Sequence, residues 1–319
     1  MSLPEPAIPG SPEDAAGEAD ARSRAPDGTS STPRSGALGR LLPDHPGKAA
    51  AERWYLLFTP IWGASVGAVM TTGLAESWRG SPWGDLAYLS LGAGLWIALL
   101  VGGILRAPAS ERRRPLLRRA HVKVQAWMLI FAFLGNYYTE YFYEILHMHY
   151  GFGTGWNVHG VPFFLYPLTA VYFTTYSTLL NLARRGLDRA LPRATPRLLR
   201  RGAYLPLCFV VAGLETALNA NPWIDDLFCY DDLPFALTFG TLMYGLWFVV
   251  TAPLWFSIDE SPGDDTPMRE ALVRALAGFM LVLCVNEGIR EWVAPRFTEV
   301  QRGQVGLDDR AGSCLARAR

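Results

Sequence analysis

The chain has 319 residues, half of them hydrophobic, 18% charged and 13% aromatic with 11 Trp, where an ordinary soluble domain is about 25% charged. Its 29 basic and 29 acidic residues cancel, so no global field draws nucleic acid to it. These figures exclude an ordinary soluble globular domain, and a mean hydropathy of +0.13 averages two unlike regions.

Residues 1–50 form the first region, rich in Pro, Gly, Ala, Ser and Asp. They lack the basic stretch followed by an apolar run of a signal peptide, and read as a disordered cytoplasmic tail. From Arg53 onward, long apolar runs alternate with short polar loops. The candidate spans are 54–75, 85–105, 124–146, 161–183, 203–220, 234–257 and 272–294. About 20 residues cross a hydrocarbon core about 30 Å thick, so the expected fold is all-α, a polytopic helical membrane protein of about seven transmembrane helices. The transmembrane domain is expected over 51–297 and a polar C-terminal tail over 298–319.

Lys and Arg in the loops set the expected orientation. The loop after span two carries Arg106, Arg112, Arg113, Arg114, Arg118, Arg119 and Lys123, and the loop after span four carries Arg184, Arg185, Arg189, Arg193, Arg197, Arg200 and Arg201. Segments 147–160 and 221–233 have neither. This puts the N-terminus in the cytoplasm. The last run contains Glu287, Arg290 and Glu291 and precedes an Arg-bearing tail, so six spans plus an interfacial helix is the alternative. Anionic headgroups are sufficient partners for the basic loops, and nucleic acid is not expected.

No P-loop, glycine-rich nucleotide fingerprint or metal-spaced His/Cys set is present, so no cofactor and no metal are expected. Cys208, Cys229, Cys284 and Cys314 have no CxxC spacing and read as small buried hydrophobes plus one tail thiol.

Ionisable groups inside spans are costly unless paired or facing a cavity, which makes them functional candidates. In the third span Asn136, Glu140, Glu144 and His147 follow at helical spacing, with Tyr137 and Tyr141 beside them. Two carboxyl groups one turn apart in a low dielectric do not both ionise readily, so one is expected to remain a neutral acid. A structural polar seam is the competing reading. The fifth span offers Glu215 mid-membrane, Asn219 one turn on, and Asn221 before the helix-ending Pro222. The acidic stretch Asp225, Asp226, Asp231 and Asp232 reads as a solvated loop. Asp259 and Glu260 are placed to pair with the basic loops, and Glu287 with Arg290. Aromatic rings near the buried carboxyls suit a flat apolar ligand or a cationic intermediate.

These residues resemble the cycloeucalenol cycloisomerase family, membrane enzymes of sterol synthesis that open a 9β,19-cyclopropane ring. The resemblance runs from Arg53 to about Pro295 through Arg53, Trp54, Thr59, Pro60, Trp62, Val122, Lys123 and the Gly135–Tyr138 stretch. It continues through Tyr150, Phe152, Trp156, Val161, Pro162, Tyr176, Asn181, Leu214, Glu215, Thr216, Ala220, Asn221, Asp259 and Glu260. This chain has Glu140, Phe163, Ala170 and Ser177 where the plant pattern carries additional histidines.

The resemblance implies a sterol substrate entering from the bilayer and protonation of C19 by Glu215 or Glu140, with Asn136 and Tyr137 beside them as catalytic candidates. Tyr141, Glu144, His147, Trp156, Tyr176 and Asn221 are the implied substrate-binding candidates, Asn221 or His147 holding the 3-hydroxyl. The setting would be a bacterial cell membrane, or the endoplasmic reticulum of a eukaryote. A sterol Δ8–Δ7 double-bond isomerase and a non-catalytic sterol or lipid carrier are the alternatives, and oligomeric state is left open.

Overall fold

The structure, a computed structural model, describes residues 37–192, 194–303 and Cys314. The expected disordered tail lies outside the described residues up to position 36. The chain divides into two compact units, Met1–Arg40 and Leu41–Arg319. Of the first, only the opening of a short helix, Ala37–Leu41, is described.

Among the described residues of the second unit, the α-helices longer than five residues are α1 (Pro46–Thr71), α2 (Gly84–Leu105), α3 (Ala120–Tyr137), α4 (Glu140–Leu146), α5 (Leu165–Ala190), α6 (Arg197–Asn219), α7 (Thr241–Phe256) and α8 (Met268–Gly288). A π-helical turn, Ala236–Gly240, precedes α7, and another, Ile289–Val293, follows α8. Among the described residues, four segments are long and apolar enough to cross a membrane: Gly84–Leu105, Leu198–Asn219, Leu233–Phe256 and Met268–Arg296. The last expected span is thus among them. An integral membrane protein of packed helices follows.

Helices α1, α3 and α5 fall outside that set for a physical reason. They carry polar side chains that neighbouring helices satisfy, which lowers their hydropathy. Helix α5 packs on α1, α2, α3 and α6 and buries Thr169, Thr174, Thr175, Tyr176, Ser177, Thr178 and Asn181. Gln125 Nε2 donates to Thr174 Oγ1 at 3.1 Å, and Trp62 Nε1 to Thr175 Oγ1 at 2.9 Å. Small residues allow close approach. A Cβ on Gly103 would lie 2.2 Å from the His121 ring, and one on Gly92 the same distance from the Phe164 carbonyl oxygen.

At the basic end, ion pairs clamp the helices. Lys123 and Asp259, both fully buried, meet at 2.5 Å. Arg185 grips Glu52 at 2.6 Å and Glu260 at 2.5 Å, and Lys48 reaches Glu260 at 2.9 Å. Asn181 donates to Glu52 at 2.9 Å. Asp259 and Glu260 therefore pair as their spacing suggested. Lys48 is nearly fully buried. Burial alone would raise the Glu260 carboxyl, but the hydrogen bonds from Arg185 and the charge of Lys48 outweigh it and hold it below its ordinary value. The Asp265 carboxyl is likewise lowered: desolvation opposes the shift, and the charges of Arg114 and Lys123 carry it.

At the opposite end, strand β1 (Met148–Tyr150) pairs antiparallel with β2 (Phe228–Tyr230), His149 facing Cys229. Cys229 forms a disulfide with Cys314, Cα atoms 6.1 Å apart. This corrects the reading of all four cysteines as unpaired; Cys208 is buried and Cys284 exposed, both as thiols. The disulfide and the hydrogen bond from Gln301 N to Glu144 O, 2.9 Å, bring the C-terminal segment to the same end as 147–160 and 221–233.

Candidate active site

The third span does not present the single polar face its spacing suggests. Helix α3 ends at Tyr137, and Tyr138 leaves the helical region (φ −100°, ψ 33°) before α4 begins. Asn, Tyr and Thr are weak helix formers, and Gly135, Asn136, Tyr137, Tyr138 and Thr139 stand in a row here. The break separates the four candidates. Asn136, buried in α3, donates through Nδ2 to Ala132 O and to Thr169 Oγ1, each at 2.8 Å. Glu140 instead meets His159 at 3.5 Å, and Tyr137, 36% exposed, stacks on His159 with centroids 4.8 Å apart. Glu144 is claimed by Arg290 at 3.1 Å and by Gly303 N at 2.6 Å.

His147 ends α4 in the left-handed region (φ 50°), and its Nε2 lies 2.9 Å from Glu299 O. Tyr141 donates to Glu287 at 3.0 Å, beneath Arg290, which also holds Glu287 at 2.7 Å. Tyr141, Glu144 and His147 thus belong to an ionic cluster that seats the C-terminal segment. The carboxyl pair expected of Glu140 and Glu144 is replaced by two carboxyl groups with separate partners, His159 and Arg290.

Glu215 is the counter-example. It is 1% exposed on α6, and among the described residues no Lys, Arg or His forms an ion pair with it. Asn219, one turn on, donates to its Oε1 at 2.8 Å. The Tyr176 hydroxyl is its other side-chain hydrogen-bonding partner. Tyr150, Tyr172, Tyr230 and Tyr244 lie close enough to interact with it electrostatically. A buried carboxyl with neutral hydroxyl and amide partners suits reversible proton transfer; one locked to a guanidinium does not.

Beside this group lies a cavity of about 40 Å³, room for a few water molecules. Asn136, Thr139, Thr169, Tyr172 and Tyr244 supply its polar lining, and Phe131, Phe142, Tyr150, Phe173 and Trp247 supply ring faces. Trp247 stands edge-on to Phe131 and Phe142, at 6.0 and 5.5 Å between centroids. Tyr150, Tyr172 and Tyr244 both line the cavity and interact with Glu215, which itself is not in the wall.

The structure thus brings Asn136, Glu215 and Tyr176 into one region of the bundle and leaves the other candidates outside it. Asn221 caps the end of α6, donating to Leu218 O at 2.6 Å and accepting from Trp223 N at 3.0 Å. Trp156 is 47% exposed on a surface loop. Thr169, Tyr172, Tyr230, Tyr244 and Trp247 were missed from sequence. Only the hydroxyl-rich spacing Thr169, Tyr172, Tyr176, one face of α5, carried a signal. His149, Asp231 and Cys314 place ligand-type atoms within 4.8 Å of one another, but the Cys314 sulfur is spent in the disulfide.

A helical membrane protein with an uncharged-partner carboxyl behind an aromatic cavity is the class these features define. The chain is 28% identical over 260 residues to the cycloeucalenol cycloisomerase of Arabidopsis thaliana, covering 80% of this chain and 89% of that protein. The family resemblance read from the residues is thereby borne out, and the chain is a homologue of an isomerase. No protein-family model and no solved structure matches it.

Proposed function

We propose that this chain is a membrane isomerase that opens the 9β,19-cyclopropane ring of a cyclopropyl sterol, a reaction of the cycloeucalenol-to-obtusifoliol type. The observation that carries the reading is the likeness to a named cycloisomerase over four-fifths of the chain. The geometry around Glu215 agrees with it. In this reading a proton that Glu215 supplies adds to C19. The C9–C19 electron pair becomes the new C19–H bond and leaves positive charge at C9. Ring faces of Phe131, Phe142, Phe173 and Trp247 stabilise that cation. Loss of the C8 proton leaves its electron pair as the C8–C9 double bond. One proton is gained and one lost, so the reaction needs no redox partner.

In the same reading the chain crosses the membrane seven times with its basic end in the cytoplasm. The positive-inside distribution supports this, as does the disulfide at the opposite end, because disulfides persist on the oxidising side of a membrane. A cavity of about 40 Å³ is far smaller than a steroid nucleus, so the helices around it separate when substrate enters from the bilayer. The π-helical turns at Ala236–Gly240 and Ile289–Val293 mark where that separation starts, since π turns concentrate at functional sites.

The test uses membranes containing the full chain, incubated with cycloeucalenol in deuterated water, with the sterols analysed by mass spectrometry. A Δ8 product carrying one deuterium in the C19 methyl group is expected. Unchanged cycloeucalenol from folded protein that shifts a Δ8 bond, or that only carries sterol between vesicles, would replace this reading with the double-bond isomerase or the carrier.

A further inference from the structure

We propose that Tyr172 is the group that hands the proton to the substrate, with Thr169 and Asn136 holding it in place and Glu215 reloading it through Tyr176. The proposal rests on the isomerase reading above. Its starting point is a mismatch in position: Glu215 does not line the cavity, whereas Tyr172 does and also interacts with Glu215. A carboxyl one layer back reaches a bound sterol only through an intervening hydroxyl.

Three tyrosines stand between Glu215 and the cavity: Tyr150, Tyr172 and Tyr244. Tyr172 is singled out by what holds its hydroxyl. Its oxygen lies 2.9 Å from Thr169 Oγ1, and Thr169 Oγ1 accepts from Asn136 Nδ2 at 2.8 Å. Asn136 spends its amide on Ala132 O and Thr169, so its role is to fix the threonine. Because Asn136 supplies that oxygen with a donor, the Thr169 hydroxyl proton is free to point at Tyr172 when the tyrosine gives its own away. Tyr176 sits one turn along α5, its ring centroid 5.7 Å from that of Tyr172, and its hydroxyl binds Glu215. Thr169, Tyr172 and Tyr176 occupy i, i+3 and i+7, one face of a helix.

The steps balance. The Tyr172 O–H proton passes to C19 as the C9–C19 pair forms the new C–H bond. Concertedly, the Tyr172 oxygen takes the Tyr176 proton and the Tyr176 oxygen takes the Glu215 proton. No free phenolate accumulates, and the negative charge arrives at Glu215 as the positive charge arrives at C9. The C8 proton then returns through the same hydroxyls to the carboxylate, which restores the acid.

The test is Tyr172→Phe in the full chain, assayed with cycloeucalenol in membranes alongside wild type. A loss of 100-fold or more in kcat is expected, the range for removing a positioned proton donor, with sterol binding retained. Thr169→Val is the second variant: it should lower kcat with little change in KM, and Thr169→Ser should restore it, which a purely structural role for the methyl group would not do. Wild-type turnover from both Tyr172→Phe and Thr169→Val would overturn the relay while leaving the isomerase reading intact. A wild-type protein that leaves cycloeucalenol untouched would overturn the isomerase reading itself.

Discussion

Glu215→Gln is the substitution that tests the site most directly. Glutamine has nearly the same volume and keeps an acceptor for Asn219 Nδ2, now 2.8 Å from Glu215 Oε1. One hydrogen bond at Tyr176 changes character, worth about 1 kcal/mol, so the fold should survive with little loss of stability. What the variant lacks is a transferable proton. A positioned general acid contributes roughly 10²–10⁴-fold, or about 3–5 kcal/mol of barrier at 1.36 kcal/mol per tenfold. Turnover of cycloeucalenol, measured by mass spectrometry per mole of folded protein, should fall by that factor. Glu140→Gln should cost less than tenfold, because Glu140 faces His159 and, among the described residues, lacks the link to the cavity that Tyr150, Tyr172 and Tyr244 give Glu215. Glu215→Gln retaining more than a tenth of wild-type turnover would refute the assignment.

Other consequences concern stability. Lys123→Met leaves Asp259 fully buried without its cation and should cost about 3–5 kcal/mol, read as a lowered thermal transition in detergent; a shift under 2 °C would contradict it. The Glu260 and Asp265 carboxyls are held below their ordinary values of 4.5 and 3.8. Their stabilisation is therefore fully present above those values and is lost as pH falls through the lower folded-state values. The thermal transition should drop steeply below pH 4.5, and Glu260→Gln should flatten that drop. Removing the Cys229–Cys314 disulfide, which joins positions 85 residues apart, should cost about 2–5 kcal/mol. Thermal melts with and without a reductant check this, and identical melts would count against it.

The helical membrane character was legible because length and apolarity together leave no soluble alternative. Which helices face lipid was not. Hydropathy measures what a helix offers to lipid, and α5 offers its polar side to other helices, where Thr174 meets Gln125 and Thr175 meets Trp62. Glu215 was legible as a mid-span carboxyl with no basic residue near it in sequence; it is buried with Asn219 as a neutral partner, but stands outside the cavity wall. The Asn136–Glu140–Glu144–His147 face was misread because helical spacing assumes a continuous helix, and the turn at Tyr138 carries no Pro or Gly of its own. Arg290, 146 residues from Glu144, and Cys314, 85 from Cys229, act at separations that local spacing does not show.

Ionic and neutral contacts are spread unequally through the bundle. At the basic end Lys48, Glu52, Lys123, Arg185, Asp259 and Glu260 tie helices α1, α3 and α5 to the segment after α7 through buried ion pairs. Parting any of these strands a charge in low dielectric, at several kcal/mol each, so that end resists opening. The cavity region around Asn136 and Tyr172 is held differently, by neutral hydrogen bonds worth about 1 kcal/mol each and by ring contacts. In the proposed reading a large apolar substrate would displace helices where displacement is cheapest, in the aromatic region around the cavity. Among the described residues, the cavity wall contains no Lys, Arg or His, so in the proposed reaction no cation of the wall would repel the developing C9 charge. Ion pairs at the basic end, the Arg290–Glu144–Glu287 cluster and the disulfide at the opposite end, and a neutral aromatic region around the cavity form an arrangement that would suit the proposed carbocation chemistry.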